Sequence, residues 1–109
     1  MGANNTWAWI VGIILILVGI IGFFNAPVLG IFGVNTLHNV VHLITGLIFV
    51  WGAWKGPVKQ VNTWLGVVYI LVAILGFFGV LGFLAVNGAD NWLHLVIGVV
   101  SALIGWKAS

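Results

Sequence analysis

Three histidines and a single aspartate hold the metal-ligating capacity of this sequence, and all four fall in two related stretches. Residues 35–46 read N-T-L-H-N-V-V-H-L-I-T-G, and residues 87–98, fifty-two positions later, read N-G-A-D-N-W-L-H-L-V-I-G. On a helix His38 and His42 are i and i+4, stacked one turn apart on one face, and Asp90 and His94 repeat that placing. Imidazoles and a carboxylate suit zinc, copper, iron or nickel. His38, His42, Asp90 and His94 therefore form a candidate three-His, one-Asp ligand set. A second chemistry uses His42 and His94 alone, as two axial imidazoles on a haem iron. Against it, the chain has no Arg, and no Lys on the same side to meet the propionates.

The same residues also have a purely architectural use. Asn35 and Asn87 are good N-cap residues just ahead of a helix. Asp90 then falls at the third helical position, where a carboxylate reaches back in a capping-box variant and meets the positive end of the helix dipole. His42 and His94 can bond to each other, to Asn39, Asn91 or Asp90, or to backbone, each contact being worth about 0.6–2 kcal/mol in a membrane. Thr45 and Ser101 extend the two polar stripes, which give way to Phe49, Gly52 and Gly105. That is the pattern of a pocket open at one end, not of a continuous pathway. No residue is assigned a catalytic role: there is no Cys, and Ser101 has no histidine within a turn.

What must position these side chains follows from composition. The chain is 63% hydrophobic and 4% charged, with three Lys, one Asp and no Glu. A soluble domain carries roughly a quarter charged residues, so the solvent here is lipid. The net charge of +2 offers nothing to nucleic acid. A helical span takes about 20 mostly apolar residues, and four segments qualify, roughly 7–25, 36–54, 62–84 and 89–107. Residues 25–34, with Pro27 and two glycines, read as a loop at the membrane surface or dipping into it. Lys55-Gly56-Pro57 ends the second span.

The halves align further. Gly12, Gly22, Phe23 and Phe24 correspond to Gly66, Gly76, Phe77 and Phe78 at a spacing of fifty-four. The sequence thus predicts an all-α, integral membrane four-helix bundle, one domain over 1–109, built from two parallel helical-hairpin repeats at about 7–54 and 62–107. Lys55, Lys59 and Lys107 share one side, which the positive-inside rule places in the cytoplasm together with both termini. The polar stretches then lie at the extracytoplasmic face. Seven Trp gather near span ends as an aromatic belt. Gly19, Gly22, Gly76, Gly79 and Gly82 read as sites of close helix packing, and Tyr69 as a hydroxyl bonding across to another helix.

The pair N-x-x-H-N-x-x-H-L-x-x-G and A-D-N-x-L-H-L-x-x-G, each preceded by a Gly/Phe-rich span, resembles a bacterial family of small four-helix membrane proteins classed as a domain of unknown function. The resemblance covers nearly the whole chain. It implies four spans in a bacterial inner membrane, marks His42, Asp90, Asn91 and His94 as family-pattern positions, and implies no activity. The role favoured by the sequence is a non-enzymatic binding or accessory subunit in the bilayer, partnered by other membrane proteins or by a second copy. The alternative is a metal- or haem-binding redox membrane protein using the same histidines.

Overall fold

A computed structural model describes residues 2–108 of the chain. Four long helices, α1 (Ala3–Phe24), α2 (Thr36–Trp54), α3 (Val58–Phe77) and α4 (Gly88–Lys107), make up most of it, with one 3-10 turn at Gly82–Leu84. Each long helix has the length and apolar character to cross a membrane. Their outward faces carry large apolar side chains such as Ile13, Leu17, Leu47, Leu71, Val96 and Leu103, all about half exposed. Facing water, such a surface would drive aggregation; facing acyl chains, it is solvated.

Helices of this composition gain little from hydrophobic burial against one another, since lipid is as apolar as leucine. Close backbone approach and polar contacts must hold them. Helix α1 packs chiefly on α2, and α3 on α4. The reason lies in facing glycines. A Cβ added at Gly12 would lie 2.9 Å from Gly46 O, and one added at Gly46 would lie 2.8 Å from Gly12 O. Gly66 and Gly98 stand in the same reciprocal relation, at 2.8 and 2.9 Å. Between the pairs, Ala8, Val11, Leu15, Phe49, Ala53, Val61, Tyr69 and Ile97 form the buried core.

Helices α2 and α4 begin and end close to where the sequence predicts. Three boundaries differ, one of them the start of α3, which lies at Val58 and not near 62. Helix α1 begins at Ala3, because the polar Asn4 and Asn5 find acceptors instead of ending it: Asn4 Nδ2 donates to Ala108 O (3.1 Å) and Asn5 Nδ2 to Ala53 O (2.8 Å). Helix α3 stops at Phe77, well short of the expected 84. Gly79 there adopts φ +76°, a left-handed conformation that glycine takes without strain. The N–H of Val80 then donates back to Leu75 O (3.3 Å), closing the Schellman-type turn. Of the five glycines assigned to packing, Gly19, Gly22 and Gly76 do face neighbouring side chains, whereas Gly79 and Gly82 have none within 4 Å among the described residues. Gly79 is a stop signal.

The α1–α2 connection is a compact turn closed by a bridge between Val28 and Phe32, with Val28 almost wholly buried. It covers the same end of the bundle as the Gly82–Leu84 turn. Lys55, Lys59 and Lys107 lie at or close to helix termini at the opposite end, where Lys59 Nζ donates to Trp106 O (3.1 Å) and Ala108 O (2.8 Å).

Candidate metal centre

The site begins with two helix caps. Asn35 Oδ1 accepts from His38 N–H at 2.9 Å, fixing the first turn of α2. Asn87 Oδ1 accepts from Asp90 N–H at 3.0 Å, while Asp90 Oδ2 accepts from Asn87 N–H at 2.9 Å, completing a capping box at the start of α4. The side-chain amides of both asparagines reach the opposite loop. Asn35 Nδ2 donates to Phe83 O (2.8 Å) and Asn87 Nδ2 to Ile31 O (2.9 Å). Each cap therefore starts its own helix and ties down the other connection. The two loops are braced over the end of the bundle.

Directly beneath, three imidazoles converge from α2 and α4. Ring centroids are 4.3 Å apart for His38 and His42, 5.5 Å for His38 and His94, and 5.9 Å for His42 and His94. The three residues are almost wholly buried, and one nitrogen from each ring lies within 4.8 Å of the other two. One ion bound at about 2.0–2.1 Å sets imidazole nitrogens roughly 3.3–3.6 Å apart. Binding one ion would require the rings to turn toward one another from that spacing. A cluster of three histidines able to coordinate a metal is present.

The hydrogen bonding of the rings sharpens this. His38 Nδ1 lies 2.9 Å from Leu84 O. A carbonyl only accepts, so Nδ1 carries the proton and Nε2 keeps a free lone pair. This is the outer-shell arrangement that orients metal-bound histidines. His38 Nε2, both ring nitrogens of His42 and His94 Nδ1 are buried with no hydrogen-bond partner among the described residues. Leaving buried polar atoms unpaired costs about 1–3 kcal/mol each. The expectation that His42 bonds to His94, to asparagine or to backbone is not met. A metal would satisfy one nitrogen on each ring.

The two asparagines offered as partners are occupied elsewhere. Asn39 Oδ1 sits where a Cβ of Gly22 would be, and Asn91 Oδ1 where a Cβ of Gly76 would be. Neither oxygen has a conventional donor among the described residues. Each rests against a glycine Cα–H, a weak contact worth about 0.5–1 kcal/mol. This is why Gly22 and Gly76 recur in the sequence. Asp90 is fully buried, and its Oδ2 serves the cap while Oδ1 lacks a partner among the described residues. It stands outside the His38, His42, His94 group.

Tyr69 is the residue that spacing did not assign to this site. Its hydroxyl lies 2.7 Å from Thr45 Oγ1, a bond across from α3 to α2 as expected, and its ring meets His94 edge-on at 5.6 Å. Asn62, Gly66, Tyr69 and Ala73 are all buried on one face of α3, a signal that places the phenol inward. Leu84, whose carbonyl positions His38, had no signal of its own, since a backbone acceptor has no residue code. Ser101 accepts from Trp7 Nε1 at 2.8 Å and takes no part in the centre. Phe49, with no exposure, closes the polar stripe toward the lysine end.

Beside the rings lies a cavity of about 70 Å³. Val41, Val68, Val72, Leu84 and Val86 line it together with His38, His42, His94, Thr45 and Tyr69.

A family model described as Domain of unknown function (DUF4383) matches residues 5–107. No curated protein and no solved structure matches the chain.

Proposed function

Because the chain belongs to the DUF4383 family of small proteins with four membrane-spanning helices, whose description supplies no activity, we propose a function from the site itself: an intramembrane metal-binding protein. His38, His42 and His94 would hold one transition ion. The carrying observation is that imidazoles from two helices meet with buried, unpartnered nitrogens among the described residues. Ionisable groups within a span are expensive and are kept for a purpose. This reading is better supported than the generic binding or accessory role, which needs no such convergence.

The donor set favours copper. Imidazole suits copper, which among divalent ions heads the affinity order for nitrogen sites. Three neutral ligands give no compensating charge, so a monovalent cuprous ion costs less to bury than a divalent one. Asp90, one turn before His94, is the single acidic residue of the sequence and, from outside the three-histidine group, would act as a longer-range counter-charge. An ion also fits better than haem. His38 lies within 4.3 and 5.5 Å of the two proposed axial rings, in space a macrocycle between them would need.

The finer architecture is part of the same proposal. The reciprocal glycine contacts and reciprocal Asn35 and Asn87 braces support two duplicated hairpins, related by an axis along the membrane normal. The lysine end would be cytoplasmic, with both termini there, and the metal would lie close beneath the outer face.

Metal analysis tests the reading directly. Protein purified in detergent and exposed to cuprous, zinc and ferrous ions in turn should retain one equivalent of a transition ion after dialysis. His38→Gln, His42→Gln and His94→Gln should each weaken retention by at least 100-fold. Wild-type protein that retains no more metal than the triple variant would end the proposal.

A further inference from the structure

We infer that the cavity beside the three histidines admits a diatomic gas from the lipid phase and presents it to the metal. The inference rests on the metal-binding reading and adds the ligand class. Its size comes first. A cavity of about 70 Å³ is roughly half of an engineered apolar cavity of about 150 Å³ that holds one benzene. Two or three heavy atoms fit; an aromatic or quinone ring does not.

The walls come second. The apolar part of the lining is built from Val41, Val68, Val72, Leu84 and Val86, with no charged group among them. An anion or strongly hydrated ligand passing those valines and leucine would lose its water before reaching any polar group. A neutral diatomic molecule loses almost nothing.

The route comes third. At the histidine end the loops are tied down by Asn35 Nδ2 on Phe83 O and Asn87 Nδ2 on Ile31 O. Between α2 and α3 the cavity is lined by Val41 and Val68, and both are also exposed on the outer surface, by 38% and 45%. Those two helices share a much smaller contact than the α1–α2 or α3–α4 pair. The mouth therefore faces acyl chains, where apolar gases dissolve more readily than in water. A site with three histidine ligands keeps a coordination position open for such a ligand.

Carbon monoxide is the probe. Cuprous protein in lipid nanodiscs, with bound copper measured on the same sample, is exposed to carbon monoxide and read by infrared spectroscopy. A single narrow copper-carbonyl band is expected, with rebinding after flash photolysis that slows at least tenfold in Val68→Phe and Val41→Phe. Both variants change the mouth and no ligand, so copper content should be unaltered. Val68→Ala, which widens the mouth, should speed rebinding and controls for misfolding of the larger variants. Bound copper with no carbonyl band, or rebinding indifferent to all three substitutions, overturns the inference and leaves the metal site standing. Protein that holds no copper overturns the inference too, and protein that retains none of the cuprous, zinc and ferrous ions overturns the metal site itself.

Discussion

At the scale of single residues, the centre depends on which nitrogen is free. His38 donates its Nδ1–H to Leu84 O, which leaves the Nε2 lone pair free for a ligand. His42 has two buried nitrogens without partners among the described residues, so it gains most from an ion. Acidification should release the metal, because protons compete for the same lone pairs. Titrating copper- or zinc-loaded protein from neutral pH downward, with free metal read by a chelator dye, should show loss as pH falls and recovery on return. Asp90→Asn should weaken divalent ions by about tenfold, in the range of outer-shell substitutions, while cuprous binding changes less. Competition titrations with both ions on one preparation would show this, and equal effects on both would rule out a counter-charge role for Asp90. The cap itself should persist, since asparagine still accepts at that position.

At the scale of elements, glycine and asparagine act together. A methyl group added at Gly22 or Gly76 collides with Asn39 Oδ1 or Asn91 Oδ1. Gly22→Ala and Gly76→Ala should each cost about 1–3 kcal/mol through overpacking. Combining Gly76→Ala with Asn91→Ala should return part of that loss, a coupling that thermal denaturation of the four-member cycle in detergent would measure. The N-caps carry a double load. Asn35→Ala and Asn87→Ala remove a helix cap and a brace to the opposite loop, so each should exceed the usual cap loss of about 1 kcal/mol. Hydrogen exchange at residues 28–32 should then rise in Asn87→Ala, because its partner Ile31 O sits there.

At the scale of the molecule, four apolar helices are joined by polar contacts at both ends. The lysine end is fastened by Asn62 Nδ2 donating to Asn4 Oδ1 (2.9 Å) and Asn4 O (3.1 Å), and the histidine end by the loop braces. Orientation can be read without background labelling, as the chain has no cysteine. Gly56→Cys should react with an impermeant maleimide only from the cytoplasmic side, and Val80→Cys only from outside. The reverse pattern would invert the orientation and move the metal centre to the cytoplasmic face.

Much of this was legible in the residues alone. Composition dictated a lipid-facing protein, because so few charges cannot keep such a surface in water. The runs of apolar residues set four helices, and Asn35, Asn87 and Asp90 marked where two of them start. The end of α3 was harder to see: apolar residues continue past Phe77, and only the left-handed Gly79 turns the chain. Periodicity could also place His38, His42, Asp90 and His94 on two inward faces, since spacing along one helix is a local property. It could not say which of them meet. Whether a ring from α2 touches one from α4 depends on the packing of separate helices, and the same spacing is compatible with hydrogen-bonded pins or with a ligand cluster. Tertiary structure decided that by sending Asn39 and Asn91 to glycines and Asp90 to a cap, leaving three imidazoles facing one another.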